Sequence, residues 1–143
     1  MIRTSNLRRQ HETLLVLAKE LKATAAKIET RDHAAAASTG LAKLTGLLRM
    51  HLVVEDRSLY PALLNCQDPQ VAALAARFVT EMGGLGEDYF AFVDRWNCAS
   101  VIFEQRDDFK SEYQAIFSAL EARIEREKNE LYPLADKIVL QSR

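Results

Sequence analysis

The chain has 143 residues, of which 48% are hydrophobic and 27% are charged, and these values fit one globular domain with a buried core. Its formal net charge of -1 provides no basic surface of the kind that binds DNA, RNA or an anionic membrane. We therefore expect residues 1–143 to form a single domain with neither a nucleic acid nor a membrane as its partner.

Three further features favour a cytoplasmic protein. The opening residues MIRTSNLRRQHETLL contain no long apolar stretch, so we expect no signal peptide. No run of apolar residues is long enough to form a transmembrane helix. Cys66 and Cys98 do not belong to a CxxC pair, and we expect two reduced, buried or half-buried thiols rather than a disulfide framework.

Four segments carry hydrophobic residues at the alternating three- and four-residue spacing of one helix face, and none alternates for long enough to predict a strand. The second helix is expected to open at Asp32. The third is expected to open at Asp68 and Pro69, a capping carboxylate followed by proline. The four faces contain, in chain order, Leu7, Leu14, Ala18, Leu21, Ala25 and Ile28; Leu41, Leu44, Leu48 and Leu59; Val71, Leu74, Phe78, Leu85, Phe92 and Trp96; and Phe109, Tyr113, Ile116, Leu120, Leu131, Leu134 and Ile138.

Four amphipathic helices with short links predict an all-α fold, an antiparallel up-down-up-down four-helix bundle. Gly83, Gly84 and Gly86 should loosen the third helix, because each glycine costs about 1 kcal/mol relative to alanine in a helix interior. The link at residues 97–108 is either a loop or a backward extension of the fourth helix.

Residues 51–63, HLVVEDRSLYPAL, are nearly repeated as RIEREKNELYPLA at residues 123–135. Arg123 stands in the second copy where His51 stands in the first, whereas the glutamate and the proline match. The repeat predicts two structurally equivalent segments, each of which kinks or ends near its proline.

Polar side chains also fall on the hydrophobic faces of three of the helices. A buried carboxylate without a partner is costly, so such groups pair, become protonated or bind a metal. A histidine and a glutamate four residues apart on one helix point into the same volume and can offer two ligands to one ion. One such residue is usually a satisfied core group, but five of them favour a shared polar site. These residues are His11, His51, Glu55, Arg123 and Glu127.

On these residues the sequence resembles the hemerythrin-like family, also called HHE cation-binding domains. The resemblance rests on the words RRQHETLL, HLVVEDRSLYPAL and IEREKNELYPLA in the first, second and fourth helices, and it covers nearly the whole chain. It implies a four-helix bundle that holds two iron ions through histidines from its helices. Carboxylates from the second and fourth helices would bridge the ions.

The metal ligands that the resemblance implies are matched by His11, His51, Glu55 and Glu127. Met82 and Arg123 stand where the family has histidines of the third and fourth helices. A thioether is a poor ligand for ferrous iron, and a guanidinium offers no lone pair. The resemblance therefore implies one retained ion, iron or zinc, and the loss of every histidine of the second ion. Glu81, next to Met82, is a less favoured replacement ligand.

Arg123 has a physical role at its position in the fourth helix. Glu55 and Glu127 would repel each other if they were buried without positive charge. A guanidinium supplies that charge together with a fork of donors that suits a carboxylate. We therefore interpret Arg123 as a side-chain cation that replaces a metal cation.

Three classes of function follow from this interpretation. The preferred class is a metal-binding bundle with one ion in a sensing, storage or binding role. The alternative is a metal-free interaction module in which Arg123 replaces the charge of the second metal. The least favoured class is an enzyme, a mononuclear non-heme iron protein with open positions for oxygen or peroxide. The sequence leaves open the identity of the metal, the protein partner and homodimer formation.

The remaining polar aromatic residues are given structural roles. Tyr60 and Tyr132, in the two LYP words, are expected to pack their rings at the end of the bundle and to expose their hydroxyls to water. Tyr89 is expected to lie in the core with a satisfied hydroxyl. His33 is expected to be a solvated link histidine rather than a ligand.

Overall fold

In the computed structural model, which describes residues 4–141 and the side chains of residues 4–138, the chain is helical and contains no strand. The all-α prediction is therefore confirmed. No helix of this part of the chain is both long and apolar enough to cross a membrane. The helices are α1 (Thr4–Ala26), α2 (Arg31–Val54), α3 (Tyr60–Leu64), α4 (Pro69–Met82), α5 (Leu85–Arg95), α6 (Ala99–Glu104), α7 (Arg106–Arg126) and α8 (Tyr132–Gln141).

The two repeated segments each pass through one wide turn of π-helix that ends two residues before the proline of the segment. One π turn, Glu55–Leu59, joins α2 to α3, and the other, Glu127–Leu131, joins α7 to α8. The N–H of Tyr60 donates to the Glu55 carbonyl, and the N–H of Tyr132 donates to the Glu127 carbonyl. Proline has no N–H and crowds the carbonyl four residues earlier, so a wider turn accommodates it. The segments are equivalent, as predicted, but neither helix ends at its proline.

Local capping explains where α2 and α4 begin. The Thr30 hydroxyl accepts a hydrogen bond from the N–H of His33, so α2 begins at Arg31, one residue before the predicted start. The Asp68 carboxylate accepts from two N–H groups of the first turn of α4, and Pro69 is the first residue of that helix. This start was predicted, because a capping carboxylate before proline is a strong local signal.

The predicted third helix is divided rather than merely loosened. It ends at Met82 and resumes at Leu85, with Gly83 and Gly84 between the two parts. The link at residues 97–108 is neither a loop nor a continuous extension of the fourth helix. It contains the short helix α6, and only Gln105 separates the end of α6 from the start of α7.

The helices enclose two hydrophobic clusters. α1 packs against α2 and α7, and α5 packs against the same two helices. A large cluster contains Leu14, Leu21, Leu44, Leu48, Leu52, Tyr89, Phe92, Trp96, Phe109, Tyr113, Leu120 and Ile124 among others. A small cluster contains Leu7, Leu59, Tyr60, Leu63, Val71, Ala75, Phe78, Leu131, Tyr132 and Ala135.

The core tyrosine and the cysteines test two smaller predictions. Tyr89 is buried, and its hydroxyl lies 2.9 Å from the hydroxyl of Thr45, so the satisfied core tyrosine is confirmed. Both cysteines are free thiols. Cys66 is half-buried as expected, whereas Cys98 is exposed, so the prediction of burial was wrong for Cys98.

The break between α4 and α5 provides a matched test of backbone packing. At Gly83 an added methyl group would press against the Val79 carbonyl oxygen, whereas at Gly84 it would meet open space. We expect Gly83→Ala to lower the free energy of unfolding by about 1–3 kcal/mol, as overpacking does. Gly84→Ala should leave it unchanged or raise it by up to about 1 kcal/mol. Urea unfolding of both variants measures the difference, and equal stability would contradict the crowding at Gly83.

Candidate metal centre

A layer of polar side chains separates the two hydrophobic clusters. Along α1, His11 lies between Leu7 of the small cluster and Leu14 of the large one. Along the second helix, Glu55 lies between Leu52 and Leu59 in the same way. The layer is as buried as the apolar residues around it. Its histidine, arginine and glutamate members are His11, His51, Glu55, Arg123 and Glu127, of which none is more than 5% exposed.

Four members of this layer bring metal-ligating atoms together. One such atom from each of His11, His51, Glu55 and Glu127 lies within 4.8 Å of the others. His11 Nε2 is 3.1 Å from Glu127 Oε1, and His51 Nε2 is 3.1 Å from Glu55 Oε1. His51 Nε2 is also 4.0 Å from Glu127 Oε1. The sequence-predicted residues therefore meet in one small volume at the centre of the protein.

The donor set and one unpaired nitrogen fit a cation. Two imidazoles and two carboxylates offer the nitrogen and oxygen atoms that Fe²⁺ and Zn²⁺ accept. Among the described residues, the buried His51 Nε2 has no aligned hydrogen-bond partner, although it faces both carboxylates. The other ring nitrogen, Nδ1, lies 2.8 Å from Gln10 Oε1. The hydrogen bond that Nδ1–H donates to Gln10 orients the ring and leaves the lone pair of Nε2 for an ion.

Gln10 was missed in the sequence because it is adjacent to His11 and does not share its helix face. It reaches His51 across the α1–α2 contact from a half-buried position. The only signal for it was its position beside a candidate ligand, which is too weak to assign a role.

Arg123 enters the layer from α7 and contacts both carboxylates. Its Nε donates to Glu127 Oε2 at 3.2 Å, and its Nη2 donates to Glu55 Oε1 at 3.4 Å. Its Nη1 donates to the backbone carbonyl of Met82 at 3.3 Å. The expectation that Arg123 points inward beside the two glutamates is confirmed.

The two LYP tyrosines belong to the same network. The Tyr60 hydroxyl donates to Glu127 Oε2 at 2.7 Å, and the Tyr132 hydroxyl donates to Glu55 Oε2 at 2.8 Å. The Tyr132 oxygen is also 2.8 Å from His11 Nε2. Each tyrosine therefore holds the glutamate of the other repeated segment.

The prediction that these hydroxyls are exposed to water was wrong. Each tyrosine follows a glutamate of its own segment by five residues, which is about 140° around an ordinary α-helix. In a π turn, residues five apart lie nearly one above the other. The wide turn therefore rotates Tyr60 and Tyr132 toward the layer. Sequence periodicity alone assumes a regular helix and cannot supply this rotation.

Glu127 and Arg123 are both held in their charged forms. Burial alone would raise the pKa of Glu127, but the hydrogen bond from His11, the neighbouring imidazole of His51 and the charge of Arg123 lower it below its ordinary value. Burial alone would lower the pKa of Arg123, but the neighbouring Glu127 and Glu55 raise it. This pair is the fixed ion pair of the layer.

Burial and the neighbouring charges also shift the pKa values of Glu55 and the two histidines. Burial and the charge of Glu127 raise the pKa of Glu55 to about 7. Burial opposes protonation of His51, but the carboxylates of Glu127 and Glu55 outweigh it and raise the pKa of His51 to about 9. Burial lowers the pKa of His11. The pKa values of the two histidines therefore shift in opposite directions, although both imidazoles contact a carboxylate.

Three other sequence candidates lie outside the cluster of ligand atoms. The Met82 side chain is half-buried and packs against the small cluster, and only its backbone carbonyl reaches Arg123. Glu81 is exposed and pairs with Arg126, so it does not replace the helix-three ligand. His33 is exposed in the first turn of α2, where its Nδ1 accepts from the N–H of Glu29.

Comparison with known protein families agrees with this geometry. The family model of the hemerythrin HHE cation-binding domain matches residues 3–135. The chain belongs to this family. Searches of curated proteins and of solved structures returned no match. Because hemerythrin domains are cation-binding domains, the buried histidine and glutamate cluster is a potential metal site.

Removing the tyrosine hydroxyls tests the network without any metal. We expect Tyr132→Phe and Tyr60→Phe each to lower the free energy of unfolding by about 1.5–3 kcal/mol, because each removes a hydrogen bond to a buried carboxylate. Tyr132→Phe leaves Glu55 Oε2 without its donor, whereas Glu127 Oε2 keeps Arg123 Nε as a donor in Tyr60→Phe. The larger loss is expected for Tyr132, whose oxygen also contacts His11. Tyr89→Phe is the matched control, because it breaks a neutral hydrogen bond worth about 1 kcal/mol. Urea unfolding of chelator-treated protein measures the loss of stability in each variant. An equal loss in all three variants would contradict the expected order.

Proposed function

We propose that this hemerythrin-family chain binds one metal ion, Fe²⁺ or Zn²⁺, in a sensing, storage or binding role. The proposed ligands are His11, His51, Glu55 and Glu127. The observation that carries the proposal is the convergence of four buried ligand atoms within 4.8 Å, including a His51 Nε2 that has no aligned hydrogen-bond partner in the described part of the chain. A bound ion would supply positive charge to the two carboxylates, and the proposal assigns no catalytic residue.

A single ion is favoured because Arg123 occupies one side of the carboxylate pair. A second ion would have to contact the same carboxylates as the guanidinium, which lies 3.2 Å from Glu127 and 3.4 Å from Glu55. Two cations in that volume repel each other, and a guanidinium cannot act as a ligand. We infer that the family's second metal position is lost and that the charge of Arg123 replaces it.

The proposal includes the topology of the bundle. We infer four helical arms, namely α1, α2 with α3, α4 with α5, and α7 with α8, arranged up-down-up-down. The rings of His11 and His51 lie 4.6 Å apart, and Leu21 lies against Gly40. Residue numbers that rise along α1 while they fall along α2 support an antiparallel pair. Contacts of α5 and α1 with both α2 and α7 support a closed set of four.

A metal-free interaction module is the second candidate, and one observation favours it. Every carboxylate oxygen of Glu55 and Glu127 already contacts a histidine, Arg123 or a tyrosine hydroxyl. The layer is therefore satisfied as an ion-pair network. Elemental analysis of protein purified without a chelating tag separates the candidates. About one equivalent supports the metal-binding proposal, none supports the interaction module, and two would contradict the role given to Arg123.

The ligand set is tested by a pair of histidine variants. We expect His51→Ala to abolish metal binding, because the remaining site has one imidazole and is dominated by oxygen ligands of lower affinity for a transition metal. His33→Ala is the matched control and should keep full metal occupancy, since His33 is exposed and its ring contacts the backbone of Glu29. Metal content by mass spectrometry measures both variants. Full occupancy in His51→Ala would rule out the proposed ligands.

The charge-replacement role is tested by restoring the family's histidines. The double variant Arg123→His with Met82→His leaves Glu55 and Glu127 without their fixed cation. Breaking a buried ion pair from one side costs about 3–5 kcal/mol, so we expect the melting temperature to fall by about 10 °C or more without metal. Added Fe²⁺ should restore stability, as a ligand bound only by the folded state does.

Arg123→Met is the control for this experiment. It removes the charge, keeps an apolar stem and adds no imidazole, so it should be destabilised both with and without added Fe²⁺. Parental stability in Arg123→Met would show that the guanidinium does not stabilise the carboxylate pair.

A further inference from the structure

A cavity of about 310 Å³ lies directly outside Arg123, between α4 and the segment formed by the first π turn and α3. This volume is at the lower end of the range found for small-molecule sites, about 300–1,000 Å³. Its walls are mostly apolar and its inner end is polar. The cavity is separate from the cluster of ligand atoms, because the guanidinium of Arg123 stands between them.

The apolar walls include side chains that water reaches. Leu64 is 40% exposed and Val79 is 44% exposed, and both line the cavity beside the buried ring of Phe78. Gly83, at the break between α4 and α5, lines it as well and contributes no side chain. A ligand with an apolar body would remove Leu64 and Val79 from water, and this burial favours binding.

The polar end of the cavity combines a donor and an acceptor. The described hydrogen bonds of Arg123 use Nε and one N–H on each Nη, which leaves one further N–H on each Nη. The Asp56 carboxylate is 67% exposed, and its Oδ1 lies 4.0 Å from Arg123 Nη2. This separation is too long for a hydrogen bond. A group that accepts from Arg123 and donates to Asp56 would satisfy both.

The charges around the cavity select an uncharged group. Arg123 already lies beside the carboxylates of Glu55 and Glu127, so an anionic ligand would meet an excess of negative charge once Asp56 is included. A cationic ligand would meet the fixed guanidinium at the inner end. A carboxamide carries an N–H donor and a carbonyl acceptor side by side without net charge, which matches the Asp56 and Arg123 pair.

We propose that this cavity binds a small, uncharged carboxamide whose apolar body contacts Leu64, Phe78 and Val79 and whose amide group contacts Asp56 and Arg123. The binding requires no metal ion, because none of the four proposed ligands lines the cavity. The proposed carboxamide site is therefore distinct from the metal site, and the two can be tested independently.

The test is a titration of the chelator-treated 143-residue chain with three probes that share one ring: benzamide, benzoate and benzylamine. Nuclear magnetic resonance of the labelled protein follows the methyl groups of Leu64 and Val79 and the amide of Gly83. We expect saturable shifts with benzamide at millimolar concentrations, as for a ligand of this size. Benzoate and benzylamine should bind about tenfold more weakly or worse, because Asp56 opposes the carboxylate of benzoate and Arg123 opposes the ammonium group of benzylamine.

Three variants locate the binding. Val79→Trp should fill the cavity and abolish the benzamide shifts. Val16→Trp is the matched control, because Val16 is an exposed valine on α1, outside the cavity, and it should leave the shifts unchanged. Asp56→Ala should weaken the binding of benzamide by roughly threefold to tenfold, because the amide N–H loses its acceptor. The same variant should strengthen the binding of benzoate.

Equal binding of the three probes would overturn the proposal, as would benzamide shifts that persist in Val79→Trp or that spread evenly over the protein. An absence of benzamide shifts at millimolar concentrations would overturn it as well. The comparison of the three probes on the parent chain decides the question even if Val79→Trp does not fold. Loss of metal binding in the His51 variant has no bearing on it.

Discussion

The structure depends on the burial of two carboxylates, those of Glu55 and Glu127, in the middle of a hydrophobic core. Each buried charge costs several kcal/mol unless it is paired and hydrogen-bonded. The other polar side chains of the layer are arranged to meet this cost. Arg123 supplies a permanent charge to both carboxylates. The two histidines contact the Oε1 atoms of the glutamates, and the hydroxyls of the two tyrosines donate to the Oε2 atoms. Hydrophobic clusters on both sides exclude water and make this pairing obligatory.

The repeated segments show how one substitution changes the chemistry of a nearly symmetric frame. Both segments contribute a glutamate, a π turn and a tyrosine that crosses to the glutamate of the other segment. The two segments differ at one functional position, which is His51 in the first segment and Arg123 in the second. An imidazole can lose its proton and bind an ion, whereas a guanidinium keeps its charge and cannot. The His51 side of the frame therefore suits a metal, and the Arg123 side suits carboxylates and neutral hydrogen-bond partners.

The sequence was sufficient for features that depend on helix periodicity and failed where the period changes. The inward positions of His11, His51 and Glu127 follow from regular three- and four-residue spacing, so they were predicted correctly. The tyrosine hydroxyls lie beyond a π turn, where five residues make slightly more than one turn, and their burial could not be read from an α-helical pattern. Gln10 could not be predicted because its contact with His51 crosses two helices. The cavity beside Arg123 depends on how α3 and α4 pack, which no local pattern specifies.

The metal-bound and metal-free candidates use the same architecture and differ in what balances the carboxylates. Without an ion, the pKa of His51 is raised to about 9 by Glu127 and Glu55 against the effect of burial, so an imidazolium joins Arg123 beside the two glutamates. In the metal-bound candidate, Nε2 of His51 would have to lose its proton, and the ion would supply the positive charge in its place. Arg123 stays charged in both cases. The guanidinium therefore balances part of the carboxylate charge in both candidates, and the charge at His51 is the part that a bound ion would replace.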